Sequence, residues 1–223
     1  MPNIIIVDDS FTGLALDAAI AGRVPTVSPN GASWAVDPNS SAIVGGGDGD
    51  VKFSVNGAAA KNRSGLTNCA VQLEITSSAL NESYLIFLRD PFNTPYPRTG
   101  YFTSFNPASN WFSFGYIQEY NRTYLDANGN IIPQGGNTQI PWTFVSGLNT
   151  IALEAIDTTF RVIINNQHAY STNNSVLLFD SNANKSGFVC DERGSGIARV
   201  KRYSVFDSID TAPAQQYPVV FFG

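Results

Sequence analysis

Apolar and polar residues alternate along most of this chain, with a period of two that predicts β-strands. The clearest case is residues 149–166, where Ile151, Leu153 and Ala155 fall on one face of a predicted strand. A polar turn at residues 157–159 follows, and a second alternating run comes directly after it. This segment therefore predicts a β-hairpin.

The same pattern predicts further strands at residues 4–7, 66–76, 84–90, 176–180, 187–191 and 197–207. Because both faces of residues 84–90 are apolar, this strand is expected at the centre of a sheet. Residues 14–24 have apolar positions at helical spacing, but glycine and proline bracket them. That bracketing favours a packed loop with at most one helical turn.

Aromatic residues are concentrated between residues 100 and 125. Alternation in the run that starts at Trp111 places Phe112, Phe114 and Tyr116 on one face of a predicted strand. Trp111 falls on the other face, beside serine and glycine, so its ring is expected to be accessible.

Four aromatic residues are candidates for a glycan-binding site: Tyr96, Tyr101, Trp111 and Trp142. An aromatic ring can stack on the C–H surface of a sugar, while nearby amides bind its hydroxyl groups. The alternative, that Trp111 and Trp142 are core residues, is at least as well supported by the sequence.

The order of the parts resembles that of concanavalin A-like lectin/glucanase (laminin-G-like) domains, of the kind found in phage virion proteins. The resemblance rests on a Leu-x-x-Ile-x-Leu-Glu strand at residue 148, an Arg-Val-x-Ile-Asn strand at residue 161, and the segments at residues 8–12, 29–34, 187–189 and 206–207. It covers about residues 7–207 and implies a jelly-roll β-sandwich of two antiparallel sheets. It also implies that the first strand, near Val7, pairs with the closing strand, near Val205.

The length of 223 residues, with 43% hydrophobic and 14% charged residues, predicts one domain with a sizeable core. We expect the sandwich at residues 1–210 and an interaction tail at residues 211–223. The tail carries a group of apolar residues that we expect to pack on another protein chain: Tyr217, Val219, Val220, Phe221 and Phe222. The alternative is that the tail folds back over an edge of its own sandwich.

The net charge of −5 argues against nucleic acid as a partner, because binding phosphates requires clustered lysine and arginine. The basic residues Arg199 and Lys201 lie two apart, so we expect them on the solvated outer face of a strand. The apolar run after Met1 is too short for an export signal, and no apolar run is long enough to span a membrane. Neither a membrane nor a nucleic acid is therefore an expected partner.

Catalysis is not expected. Enzymes of the resembling family that cleave glucans carry Glu-x-Asp-x-x-Glu on one strand, and this motif is absent from the sequence. Glu154 and Asp157 lie on either side of the hairpin turn, and we expect both to be solvated. The single histidine, His168, is expected at the surface of a hairpin end.

No cofactor is expected. Calcium is a weak alternative, with Asp48 and Asp50 in the glycine-rich segment or with the run from Asp126 to Asn130 as ligands. Cys69 and Cys190 have no neighbouring cysteine or histidine, so metal binding is not predicted for them. Two buried thiols are favoured, and a disulfide between the two cysteines is the alternative.

Together these features predict a non-enzymatic phage virion structural protein, such as a capsid decoration (cement) or head-fibre component with a lectin-like fold. The expected partners are other virion proteins, possible copies of the same chain and a cell-surface glycan. The expected location is the virion, assembled in the host cytoplasm, with the domain exposed on the particle surface. The alternative function is a glycan-binding, receptor-recognition module of a tail or cell-surface protein.

Overall fold

The computed structural model describes residues 4–28, 30–36, 43–47, 49–53, 58–63, 67–76, 82–92, 94, 97–176, 183–192 and 199–207. Regular secondary structure within these ranges is β-strand, and they contain no helix that could cross a membrane. Tyr96, Asp48, the tail at residues 211–223 and most of the predicted strand at residues 176–180 lie outside the described residues.

The strands in chain order are β1 (Ile5–Asp9), β2 (Ala35–Val36), β3 (Ile43–Gly45), β4 (Val51–Phe53), β5 (Ala58–Arg63), β6 (Cys69–Thr76), β7 (Glu82–Asp90), β8 (Gly100–Asn106), β9 (Trp111–Gln118), β10 (Asn121–Leu125), β11 (Ile140–Pro141), β12 (Leu148–Ile156), β13 (Thr159–Ile164), β14 (Gln167–Asn173), β15 (Lys185–Glu192) and β16 (Arg199–Phe206). They form two sheets. Sheet 1 has the order β14-β13-β12-β6-β16-β4-β3, with β1 also beside β16, and sheet 2 has the order β10-β9-β8-β7-β15-β5-β2, with β11 also beside β9.

Neighbouring strands in both sheets pair antiparallel, which confirms the predicted two-sheet architecture. The chain closes on itself in sheet 1, where Val7 of β1 lies opposite Val205 of β16, as expected. The predicted hairpin is β12–β13, with Ala155 opposite Phe160 on the two sides of its turn. Residues 14–24, in the loop after β1, contain turns and no helix, as expected for a packed loop.

The core fills the space between the sheets, because each strand directs alternate side chains inward. Sheet 1 contributes aliphatic residues such as Leu73 and Leu153, and sheet 2 contributes aromatic residues such as Phe112 and Phe114. Strand β7 lies between β8 and β15, and Phe87 on its outer face is buried as well. The predicted central position of this strand is confirmed.

Two groups of charged residues differ from the prediction. Glu154 is only 1% exposed on the outer face of sheet 1, because it lies opposite Arg161 and forms an ion pair with it. Arg199 and Lys201 are directed at the buried carboxylate of Asp50, with Lys201 Nζ 2.8 Å from Asp50 Oδ2. A carboxylate removed from water requires such a cation, so these side chains are structural partners of Asp50 and not a purely solvated face.

Candidate functional site

An open cleft of about 370 Å³ lies at the side of the sandwich, where an edge of each sheet comes together. The described residues that line it are Pro141, Trp142, Thr143 and Gln167. The first three belong to β11 and the segment after it, at the edge of sheet 2. Gln167 begins β14, the edge strand of sheet 1. The cleft is therefore a product of the two-sheet arrangement.

Trp142 forms the aromatic wall of the cleft. Its ring packs edge-on against Phe112, with 6.1 Å between the ring centroids, and its side chain is only partly buried. Within the described part of the chain, its indole N–H donates no hydrogen bond. One side of the indole thus contacts the core, and the remainder is available to a ligand.

Asn110 holds this wall in place from the turn between β8 and β9. Its backbone oxygen accepts a hydrogen bond of 3.0 Å from the Trp142 amide, and its Oδ1 accepts one of 3.1 Å from the Phe144 amide. Asn110 has a φ of 56°, a left-handed conformation that asparagine adopts more readily than most residues. One residue therefore fixes the backbone on both sides of Thr143.

The opposite wall is the tip of the β13–β14 hairpin. Asn165 and Asn166 have φ values of 51° and 62°, as a two-residue hairpin turn of type I′ requires. The Asn165 Oδ1 accepts a hydrogen bond of 2.9 Å from the Thr150 amide, which ties the tip to β12. Gln167 follows this turn directly and is exposed.

Asn149 connects the two walls. It is 1% exposed, and its Oδ1 accepts hydrogen bonds from the Val145 amide at 3.1 Å and from Asn165 Nδ2 at 2.9 Å. Its Nδ2 donates to the backbone oxygens of Val145 at 2.9 Å and Gly147 at 3.3 Å. The segment after Trp142 and the hairpin tip are thus held together by one buried amide.

The described residues that line the cleft are uncharged. Thr143 and Gln167 are exposed, and neither side chain has a hydrogen-bond partner among the described residues. A hydroxyl and an amide therefore line the cleft together with an aromatic side chain and the ring of Pro141. This arrangement suits a neutral molecule that has both hydroxyl groups and an apolar face.

The structure separates the four predicted aromatic residues. Trp142 lies in the cleft, and Trp111 lies on the outer face of sheet 2, partly exposed and directly opposite Pro141. The prediction for Tyr101 is wrong, because this residue is fully buried and its ring stacks on Phe160 with 3.8 Å between centroids. Its hydroxyl donates a hydrogen bond of 2.7 Å to Asn174 Oδ1, so no part of it is available to a sugar.

The sequence did not indicate Thr143, Gln167 or the buried Asn149. The local sequence signal for this part of the cleft is the Asn-Asn pair before Gln167, which indicates a hairpin turn. His168, beside Gln167, is exposed as predicted. Which strand edge the turn would approach depends on contacts between distant parts of the chain.

The candidate calcium ligands have other partners. Asp50 is paired with Lys201, and the Asp126 carboxylate accepts hydrogen bonds from the backbone amides of Asn128 and Asn130. These backbone hydrogen bonds, that of Asn130 first, hold the pKa of Asp126 below its usual value. The described residues contain no group of three or more potential metal ligands. Cys69 is a buried free thiol, which agrees with the favoured interpretation for this residue.

No protein family model matches the chain, and no curated protein sequence matches it significantly. Several solved structures are similar to the chain. One of them comes from work on the endo-acting O-glycanases that prominent members of the human gut microbiota express to initiate mucin breakdown. Its sequence identity is 11% and its TM-score is 0.54, and the match covers 91% of this chain and 99% of that one.

Two further structures are similar. A variant of LamA from Z. galactanivorans, in complex with laminaritriose and laminaritetraose, has 11% identity and a TM-score of 0.53, covering 91% of this chain and 98% of that one. A Bacillus subtilis protein of unknown function with a galectin-like fold has 9% identity and a TM-score of 0.50, covering 78% of this chain and 89% of that one. At these identities the likeness concerns the fold, and it does not distinguish catalysis from binding. The chain has the concanavalin A-like, galectin-like jelly-roll β-sandwich fold.

Proposed function

We propose that this protein binds neutral oligosaccharides without cleaving them, and that it does so in the cleft at Trp142. The observation that carries the proposal is the partly exposed Trp142 side chain, which forms one wall of the cleft. Beside it lie two neutral side chains, Thr143 and Gln167, that have no hydrogen-bond partner among the residues that the structure describes. This function is the alternative that the sequence left open.

The chemistry of a pyranose ring matches these groups. One face of many sugar rings presents C–H bonds, which pack on an aromatic ring, and the hydroxyl groups point outward around the ring. The Gln167 amide can donate to one hydroxyl and accept from another, and the Thr143 hydroxyl can do the same. The described lining residues carry no charge, so they favour a neutral sugar over a sialic or uronic acid.

The same side chains support binding without cleavage. Most glycoside hydrolases place two carboxyl groups on either side of the bond they cleave. The described residues that line this cleft are proline, tryptophan, threonine and glutamine. That a protein of similar fold has been obtained in complex with laminaritriose and laminaritetraose supports the choice of these oligosaccharides as first probes.

The test is isothermal titration calorimetry with gluco-, manno-, xylo- and galacto-oligosaccharides of one to four units, including the laminarin series. Trp142→Phe keeps an aromatic ring against Phe112 but reduces the stacking surface, and we expect it to weaken binding about 3- to 10-fold. Tyr120→Ala is the control, because this exposed aromatic residue lies in the turn at the far end of β9. Absence of binding by every series, or equal loss in both variants, contradicts the proposal.

The role as a virion decoration protein stays a prediction. It depends on the tail at residues 211–223, which lies outside the described residues, and the similar structures do not bear on it. Deleting residues 217–223 tests it: incorporation into particles or oligomers should be lost while the melting temperature of the domain is kept.

A further inference from the structure

The cleft uses Trp142 but leaves Trp111 without a role. Trp111 begins β9, and the alternation of that strand directs Phe112 into the core and Trp111 to the outer face of sheet 2. Its ring is partly exposed, and its indole N–H donates no hydrogen bond to any residue that the structure describes. An aromatic surface and a free donor therefore lie just outside the cleft.

Pro141 connects the two tryptophans. It lines the cleft, and it is the cross-strand partner of Trp111 in the β9–β11 pair. Opposite residues in antiparallel strands have Cα atoms about 4.5 to 5.5 Å apart, and consecutive residues about 3.8 Å. The path from Trp111 through Pro141 to Trp142 is therefore about 8 to 9 Å long between Cα atoms.

The two indoles lie on opposite sides of this short strand pair. Trp142 contacts the inward-facing Phe112, whereas Trp111 shares its face with Ser113 and Gly115. Ser113 is occupied by a hydrogen bond of 2.6 Å with Ser104, and it is too small to cover the neighbouring ring. A ligand that leaves the cleft over Pro141 thus meets the Trp111 ring next.

We propose that Trp111 forms a second sugar subsite, reached from the cleft across the Pro141 ring. One sugar unit stacks on Trp142 in the cleft, the chain passes over Pro141, and a later unit stacks on Trp111. This inference rests on the proposed function and adds a specificity to it: the protein prefers a short neutral oligosaccharide over the corresponding monosaccharide. A chain that bends around the strand edge fits better than one that stays straight, because the two rings face different sides of the edge.

The test measures affinity against chain length. The unsubstituted protein and the variants Trp111→Ala, Trp111→Phe and Trp142→Phe are titrated with glucose and with laminari-oligosaccharides of two to four units, and with the corresponding manno-, xylo- and galacto-series. For the series that binds, affinity should rise between one and four units. Trp111→Ala should lower the affinity for the tetrasaccharide about 3- to 10-fold and leave that for the monosaccharide unchanged. Trp142→Phe should weaken both.

The outcomes separate the two proposals. The second subsite is contradicted if short and long sugars bind with equal affinity, or if the Trp111→Ala variant shows the same rise in affinity with chain length as the unsubstituted protein. Either result would still be consistent with binding in the cleft at Trp142. If the Trp142→Phe variant binds every sugar as tightly as the unsubstituted protein, or if no series binds at all, the proposed function is wrong. Circular dichroism of each variant excludes misfolding, and Trp111→Phe, which keeps a smaller ring, should fall between the unsubstituted protein and Trp111→Ala.

Discussion

Replacing Asn149 with alanine should lower both the stability of the domain and its affinity for sugar. The side chain is buried and takes part in four hydrogen bonds, two as acceptor and two as donor. They connect the segment after Trp142 to the hairpin tip at Asn165. Alanine removes all four and leaves a small cavity between the two walls of the cleft.

The magnitude follows from the environment of the partners. A typical intramolecular hydrogen bond contributes about 0.5 to 1.5 kcal/mol, which gives about 2 to 6 kcal/mol for four. Val145 and Gly147 are exposed, so their backbone groups can bind water after the substitution. We therefore expect about 2 to 3 kcal/mol, or a melting temperature lower by about 4 to 12 °C for a domain of this size.

Urea unfolding followed by circular dichroism measures this change. The control is Asn173→Ala, since Asn173 is exposed and its side chain accepts one hydrogen bond, from Thr159. Its cost should stay within about 0.5 kcal/mol. If Asn149→Ala is no more destabilising than this control, the amide does not hold the walls together. A destabilised variant with unchanged sugar affinity would show that the cleft does not depend on this connection.

Three further predictions concern the sandwich itself. Arg89 is 4% exposed and donates hydrogen bonds of 2.6 to 2.8 Å to three separate oxygens. Because lysine cannot reach all three, Arg89→Lys should lower the free energy of unfolding in urea by about 2 to 3 kcal/mol. An unchanged unfolding midpoint would contradict this. Burial raises the pKa of the Tyr203 hydroxyl, so the folded state holds this proton more tightly than the unfolded state does. The stability that this adds should be fully present below the unfolded pKa of about 10, and the free energy of unfolding should fall as the pH rises above it. The fall should be smaller in Tyr203→Phe. Gly115→Ala would place its Cβ 2.1 Å from the backbone oxygen of Thr123 and should prevent normal pairing of β9 with β10. The control is Gly135→Ala, which has no atom within 4 Å of the new Cβ and a φ of +85°, and it should cost only about 1 kcal/mol of backbone strain. Similar losses of solubility and melting temperature in both variants would contradict the steric argument.

The strands were predictable where their pattern is local. In β12 and β13 the period of two and the polar turn are contained in one short segment, so the pairing follows from the sequence alone. The contact of Val7 with Val205 spans nearly the whole chain, and it was predicted from the resemblance and not from periodicity. The local alternation of residues thus predicts individual strands, whereas their arrangement in the sheets was predicted from the family resemblance.

Burial was harder to predict, because it depends on what covers a strand. Tyr101 is a candidate glycan-binding residue in the sequence, but it is the second residue of β8, and its ring stacks on Phe160 from the opposite sheet. Glu154 was expected in solvent, but Arg161 neutralises it across the hairpin and Ala70 packs beside it from β6. In both cases the deciding contact comes from another strand, which alternation alone does not identify.

The position of the cleft at the sheet edges decides which substitutions should affect binding alone. Trp142 uses only part of its ring against Phe112, while the side chains of Thr143 and Gln167 make no hydrogen bond to any residue that the structure describes. Changes at Thr143 and Gln167 should therefore alter affinity and selectivity with little loss of stability. Asn110 and Asn149 differ, because their amides fix the backbone on which the cleft is built. Recognition and stability are thus carried by different residues, and the two groups meet only where Trp142 contacts the core.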